Sequence, residues 1–276
     1  LNGMADTVQS QLEQLQNVAD QRQRLLENMA HELRTPLAAV SGWAETMRGA
    51  NLSEEEQADA LDTILFESRR AAALSRQMLE LSVLQHDETI QKKLVAAEEL
   101  LQRVHTAMLP LAESRGVIWQ VGQAGFATVQ GDAALLESLL GNLCENAMKA
   151  SSPGGRVQLG CEMRKKKCFW VRDYGRGMSR ETLQNLGQPF YREDKARSRR
   201  EGGAGLGVAL CFEIARQHGA KLQYYSQPGK GTLAVCGVAT QTLDGATLDV
   251  ARLELNGGTV AGTASRSGDV ALAFNG

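Results

Sequence analysis

Residues 26–47 read LENMAHELRTPLAAVSGWAETM. Apolar side chains recur at Leu26, Ala30, Leu33, Leu37, Val40, Ala44 and Met47, in steps that alternate between four and three. That is the heptad rhythm of a helix that lays a narrow stripe against other helices. With Leu26 and Leu33 at position d and Ala30 at a, His31 falls at b, on the solvent side. Glu32 stands beside it and Thr35 lies one turn further along the same face. Pro36 removes a helical N–H and crowds the carbonyl of Glu32, so a bend is expected just past the histidine.

The rhythm extends outward in both directions. Upstream it passes through Met4, Val8, Leu15, Val18 and Leu25, and slips in phase at Leu25-Leu26. Such a slip changes the local winding of a coiled coil. Downstream, Gly49-Ala50-Asn51-Leu52-Ser53 breaks the pattern, and Ser53 with Glu56 makes a capping box for a second helix. That helix carries Leu61, Ile64, Leu65, Leu74, Met78 and Leu81 and fades near His86. Two helices joined by a short turn form an antiparallel hairpin. A hairpin with one apolar stripe cannot bury it alone, so dimerisation into a four-helix bundle is expected.

After a polar joint, Gln85 to Lys93, the texture changes. Val95 to Glu113 reads as helix, and Val117 to Val121 and Ala127 to Gln130 as short strands. Asp132 to Ala150 is a helix with Asp132 near its N-cap. Val157, Leu159, Cys161 and Met163 alternate as in a strand, Arg164 to Lys167 supply a charged turn, and Cys168 to Asp173 return. Leu206 to His218 reads as helix, with strands following near Lys221 to Ser226 and Thr232 to Val238. Helices and antiparallel strands segregate, so this half is expected to be an α+β sandwich rather than a doubly wound sheet. Beyond Gln241 the chain is rich in Gly, Ala, Thr and Val, and an Asn256-Gly257-Gly258 turn between alternating runs suggests a β-hairpin without assigned function.

The 276 residues suffice for one large or two modest domains, and 43% hydrophobic with 22% charged residues is an ordinary globular composition. A formal net charge of −2 gives no global attraction to nucleic acid or an anionic membrane, despite local basic runs at Arg164 to Lys167 and Arg192 to Arg200. Five scattered cysteines without Cys-x-x-Cys spacing argue against a disulfide framework or zinc site and read as small buried thiols in a reducing compartment. No apolar run is long enough to cross a bilayer, so a membrane anchor, if the intact protein has one, is expected outside this stretch.

Four constellations carry chemistry. A solvent-facing His31 can be reached by a second domain, and Glu32 can take the proton from one ring nitrogen while the other attacks. Asn142, Asn146 and Lys149 share a helix face at i, i+4 and i+7, where carboxamide oxygens and an ammonium suit Mg²⁺ and phosphates. Asp173-Tyr174-Gly175-Arg176-Gly177 follows an apolar strand; its carboxylate can accept from an exocyclic amine such as that of adenine, and Gly175 and Gly177 let backbone approach a ring. Gly202-Gly203-Ala204-Gly205-Leu206-Gly207 opens a helix and reads as an anion cradle. It is neither a dinucleotide fingerprint nor a Walker A loop, for Val208 stands where the former needs glycine and Gly229-Lys230-Gly231-Thr232 lacks the latter's spacer. Phe190, Tyr191, Arg192 and the basic residues after them suggest a lid over a triphosphate.

In this order the motifs resemble the sensor histidine kinases of two-component systems, from about Gln11 to Val238. His31 to Leu37 is similar to the H box, Asn142 to Lys149 to the N box, and Asp173 to Gly177 to the G1 box. Phe190 is similar to the F box, Gly203 to Gly207 to the G2 box, and Gly229 to Thr232 to the G3 turn. The resemblance implies a dimerisation and phosphoacceptor hairpin at 25–88 and an ATP-binding domain shared with gyrase-type ATPases at 93–240. It implies that residues 1–24 end a HAMP-like relay, with Leu1 to Ala5 similar to its last residues, and it leaves 241–276 unplaced. His31 would be the phosphorylated nucleophile and Glu32 its proton acceptor. Asn146 would hold Mg²⁺ with Asn142 assisting, Lys149 would touch phosphate, Asp173 the adenine amine, and Thr232 its surroundings. Gly203, Gly205, Leu206 and Gly207, with Phe190, Tyr191 and Arg192, would border the nucleotide. The implied partners are a second copy of the chain and a response regulator receiver domain, and kinases with this His-Glu-x-x-Thr arrangement often also dephosphorylate that partner. The implied location is the cytoplasmic side of a membrane-anchored receptor. Two other functions share some of these residues: a gyrase-, chaperone- or mismatch-repair-like ATPase, against which the H box and hairpin argue, and a nucleotide-binding scaffold, against which intact His31, Asn146 and Asp173 argue.

Overall fold

A capping box starts the second helix as its residues require. Ser53 Oγ accepts from the Glu56 N–H at 3.2 Å, and the Glu56 carboxylate accepts from the Ser53 N–H at 2.8 Å. The Ser53 N–H and the Ser53 hydroxyl, which donates at 2.9 Å, hold the Glu56 carboxyl below its ordinary value. The protein is described here by a computed structural model, which covers residues 2–86, 90–163, 166–193 and 205–238 and three strands between 253 and 274. Helix α1 is Asn2–Gly49 and α2 is Glu54–His86, packed together as a hairpin. α1 is helical straight through Pro36. Ala60, Leu74, Met78, Leu81 and Leu84 of α2 are buried, whereas Leu61, Leu65, Phe66, Leu79 and Val83 are exposed, as are Leu26, Leu37 and Trp43 of α1. The hairpin therefore covers only part of its own apolar surface. No helix among the described residues is long and apolar enough to cross a membrane.

The chain divides into two units. One comprises Leu1–His86 and Gly187–Leu210, the other Asp87–Leu186 and Cys211–Gly276. The second unit begins with β1 (Lys93–Ala96), α3 (Ala97–Arg115), β2 (Ile118–Ala124), β3 (Thr128–Gly131) and α4 (Ala133–Ala150). It continues through β4 (Arg156–Met163), β5 (Lys167–Asp173) and α5 (Arg180–Asn185). Helix α6 (Gly207–Gln217) spans the division, and β6 (Ala220–Gln227) and β7 (Gly231–Val238) follow.

Five of these strands form one sheet in the order β2-β4-β5-β7-β6. Three of its pairings are antiparallel, in keeping with the expected α+β sandwich, while β2 and β4 run parallel, a pairing the sequence reading did not include. The cause is α4, which lies between them in the chain and acts as a crossover helix. A second difference is that β1 pairs with β3 as a separate two-stranded ribbon, so the first residues read as helix, Val95 and Ala96, are strand.

Helices α3 and α4 pack against the sheet. The core between them is made by Leu100, Leu101 and Val104 of α3, Leu139, Leu140 and Met148 of α4, and Val157 and Leu159 of β4. Each such burial contributes roughly 1.5–3 kcal/mol. Asp132 caps α4, its carboxylate accepting from Ala134 and Leu135 amides at 2.9 and 3.1 Å. Cys144, Cys161, Cys211 and Cys236 are buried thiols, as the sequence suggested, and Cys168 is only half-buried. Burial pushes Cys236 up to about 12 and Cys144 higher still.

Beyond this unit's main sheet, β8 (Leu253–Leu255), β9 (Gly258–Ala264) and β10 (Val270–Phe274) make an antiparallel three-stranded sheet. Asn256 and Gly257 of the expected turn, like Arg164 and Lys165 of the charged turn, lie outside the described residues.

Candidate functional site

The first group of residues sits in the unit that contains the hairpin. His31 is exposed on α1 and Glu32 beside it is half-buried. The Thr35 hydroxyl donates back to the His31 carbonyl at 3.5 Å, the long limit of such a bond. In the same unit the Arg192 guanidinium lies 3.6 Å from the Glu32 carboxylate, with the arginine side chain 7% exposed and the glutamate 32%.

Phe190 has a positive φ of 66°, and its N–H donates to the Gly205 carbonyl at 2.9 Å. Tyr191 donates its N–H to the Gln188 carbonyl at 3.1 Å. A Cβ at Gly205 (φ 74°) would stand 3.0 Å from the Phe190 backbone, so this junction requires glycine. Leu206 is buried, and its carbonyl accepts from Leu210 N–H at 2.9 Å as α6 begins at Gly207. Gly203 and most of the basic run, residues 194–204, lie outside the described residues.

The second group lies in the sheet-bearing unit. On α4, Asn142 is half-buried and donates from Nδ2 to the Ser138 carbonyl at 2.8 Å, while Asn146 is exposed. Lys149 Nζ is 2.5 Å from Glu145 Oε1, an i, i+4 pair that sequence reasoning did not assign. Such pairs contribute only about 0.3–0.5 kcal/mol, so a phosphate can displace the glutamate from the ammonium.

Asp173 ends β5 and is buried. Its Oδ1 accepts from the Gly175 and Thr232 amides at 2.9 and 3.2 Å. Burial pushes this carboxyl up to about 6, and hydrogen bonds from Gly175 and Thr232 and the charge of Arg176 pull against that rise. Arg176 donates its N–H to the Ala150 carbonyl at 3.1 Å, which ties the turn to the end of α4. The glycines of this turn have a reason other than the one expected. A Cβ at Gly175 would overlap the Ala150 carbonyl, and one at Gly177 (φ 66°) the Gln227 carbonyl. The protein's own backbone, rather than a bound ring, demands them.

Ser226 was missed in the sequence. Its Oγ accepts from the Met178 N–H at 2.9 Å, donates to the Gly231 carbonyl at 2.9 Å, and lies 3.0 Å from Thr232 Oγ1. The available signal was two hydroxyl residues flanking the Gln227-Pro228-Gly229-Lys230 turn, where a hairpin sets them face to face.

The donor set suits a purine nucleotide. A buried carboxylate backed by two amides presents an acceptor to an exocyclic amine, and α4 brings carboxamides and an ammonium to the same unit. Among the described residues no group of three or more His, Cys, Asp or Glu side chains is placed to hold a metal. Mg²⁺ bound by Asn146 and Asn142 would share its shell with phosphate oxygens and water, which is its usual preference.

The family model described as His Kinase A (phospho-acceptor) domain matches residues 21–87. That described as Histidine kinase-, DNA gyrase B-, and HSP90-like ATPase matches residues 131–241. The chain belongs to the sensor histidine kinase family. Sensor protein SrrB of Staphylococcus aureus (strain N315) is 27% identical over 219 residues, which cover 78% of this chain and 38% of SrrB. The chain thus spans about two fifths of the length of the curated relatives it matches. Among solved structures, Acinetobacter baumannii histidine kinase AdeS superposes with a TM-score of 0.60 at 20% identity, covering 77% of this chain and 98% of that one. Histidine kinase ThkA in complex with response regulator protein TrrA gives 0.63 at 18% identity, covering 82% and 65%. Both share the fold, a helical hairpin followed by an α/β sheet domain.

Proposed function

We propose that this chain is the kinase core of a two-component sensor, which phosphorylates His31 from ATP with Mg²⁺ and passes the group to an aspartate of a response regulator. The observation that carries the reading is the exposed His31 ring with Glu32 as its neighbour on a helical hairpin. One ring nitrogen attacks the γ-phosphorus, the bond to the β–γ bridging oxygen breaks, and ADP leaves as Glu32 takes the proton of the other nitrogen. Asp173 accepts from the adenine amine, with Thr232 beside it and Gly175 and Gly177 shaping the turn. Asn146 and Asn142 hold Mg²⁺, which neutralises charge on the phosphates. Lys149, Arg192, Phe190, Tyr191 and the segment Gly203, Gly205, Leu206 and Gly207 border the triphosphate.

The hairpin of residues 25–88 dimerises, residues 93–240 bind the nucleotide, and residues 1–24 continue a HAMP-like relay from a membrane-anchored sensor. Residues 241–276 have no role in this scheme. Support comes from the two family matches in the order a kinase needs and from the apolar surface left open on the hairpin.

The test is labelling with γ-labelled MgATP. The label is expected to be acid-labile and base-stable, and His31→Gln is expected to abolish it while leaving nucleotide affinity within about twofold. Equal labelling of the variant, or ATP hydrolysis without protein labelling, would end the kinase reading and favour an ATPase.

A further inference from the structure

Asp173, Thr232 and Ser226 stand in one row across three adjacent strands. Asp173 is paired with Thr232 between β5 and β7, and Thr232 with Ser226 between β7 and β6. Directly paired residues present their side chains on the same face of a sheet, and here they are joined by hydrogen bonds. The Thr232 amide donates to the Asp173 carboxylate at 3.2 Å, and Ser226 Oγ lies 3.0 Å from Thr232 Oγ1. Ser226 is itself fixed from two further directions, by the Met178 amide that it accepts from and the Gly231 carbonyl that it donates to, both at 2.9 Å.

Each hydroxyl has a single proton. Ser226 uses its proton on the Gly231 carbonyl, so the bond between the two hydroxyls is donated by Thr232 to Ser226 Oγ. The ionised Asp173 carboxylate can only accept, and the Thr232 amide gives it a donor at 3.2 Å. A fixed hydroxyl at 226 therefore sets how Thr232 is oriented, and Thr232 sets how Asp173 is presented. Ser226 also joins the two walls of this corner, because Met178 lies just past the Gly175–Gly177 turn while Thr232 belongs to β7.

We propose that Ser226 is a positioning residue for base selection: acting through Thr232 and the Met178 amide, it holds the Asp173 carboxylate as an acceptor and so favours bases with an exocyclic amine over bases with a carbonyl. This rests on the nucleotide reading of Asp173 given above. Ser226 does not touch the base. Its effect is on the discrimination between adenine and guanine nucleotides, which a general loss of structure would not alter selectively.

The experiment is a titration of the full 276-residue chain with MgATP and MgGTP, with melting temperature recorded for every variant. Ser226→Ala is expected to weaken MgATP about five- to tenfold and MgGTP less than about twofold, narrowing the ratio between them. Ser226→Thr, which restores the hydroxyl, is expected to return the ratio to within about twofold of the parent. Should the alanine variant not fold, Ser226→Cys keeps the volume with a weak hydrogen-bonding group and is expected to narrow the ratio likewise. Parallel losses for both nucleotides, or an unchanged ratio, overturn the role of Ser226. Asp173→Asn in the same series separates the two ideas: if it leaves MgATP affinity unchanged, the nucleotide assignment of Asp173 fails, whatever Ser226 does.

Discussion

The Arg192 guanidinium sits 3.6 Å from the Glu32 carboxylate, one residue from the exposed His31. The arginine side chain is almost fully withdrawn from water, and a cation so placed is costly to leave without a counter-charge. Glu32 and Arg192 each have another role in the proposed reaction, the one as proton acceptor and the other beside the triphosphate. A carboxylate engaged by a guanidinium has to leave that contact to reach the imidazole N–H, so the pairing restrains the step that His31 needs.

Arg192→Ala is accordingly expected to raise the KM for ATP and, at saturating ATP, to raise the rate of His31 labelling by about two- to fivefold. Initial labelling rates over a range of ATP concentrations measure both. A fall in the saturated rate would place the ion pair in the reacting arrangement instead of a resting one.

Asp173 gives a pH prediction with a definite sign. Burial raises its carboxyl from 3.8 to about 6 in the folded chain. A carboxyl raised on folding contributes stability that is fully present below its unfolded value and is lost as pH rises through its folded value. The nucleotide-free protein should therefore gain stability between pH 7 and pH 4 from this group, by at most about 3 kcal/mol. Asp173→Asn removes the ionisation, and should raise the melting temperature at pH 8 while leaving it nearly unchanged at pH 4.5. The same variant should bind ATP about ten- to a hundredfold more weakly. A variant less stable than the parent at pH 8 would mean that the carboxylate's bonds to Gly175 and Thr232 outweigh its desolvation.

What the sequence made legible was local. The heptad steps from Leu26 to Met47 placed His31 on the solvent side, Ser53 and Glu56 announced the start of α2, and Asp132 announced α4, because each signal spans a few residues of one element. Pairing between distant strands leaves no such trace. The parallel β2–β4 pairing and the β1–β3 ribbon depend on partners brought together only by the finished fold. Ser226 was overlooked for the same reason, since an ordinary strand serine becomes part of the Asp173 corner only when β5, β7 and β6 align. Gly175 and Gly177 were noticed, yet for a different cause: the carbonyls that exclude a side chain there come from Ala150 and Gln227.

The open face of the hairpin predicts an oligomer. Leu61, Leu65, Phe66, Leu79 and Val83 are exposed on α2, and burying each would contribute roughly 1.5–3 kcal/mol. Together they exceed the lower estimates of the cost of association. Leu65→Glu should shift the chain from dimer to monomer in sedimentation while nucleotide affinity stays within about twofold. A variant that remains dimeric would move the interface to another face of the hairpin.

Thr35 separates two activities on one helix face. Its hydroxyl reaches the His31 carbonyl only at 3.5 Å, so it is weakly held and can turn toward a docked partner. There, in the proposed reaction with a regulator, it would orient water toward a phospho-aspartate. Labelling of His31 needs no such water, because the imidazole is the attacking group. Thr35→Ala should therefore keep most His31 labelling and lose most phosphatase activity toward the cognate regulator. Asn146→Ala should instead abolish labelling through loss of Mg²⁺. Two rates per variant, autophosphorylation and regulator dephosphorylation, provide the measurement. Equal losses of both rates in Thr35→Ala would make the hydroxyl a support for helix geometry beside Pro36, since the carbonyl of Glu32 there has already lost its helical donor.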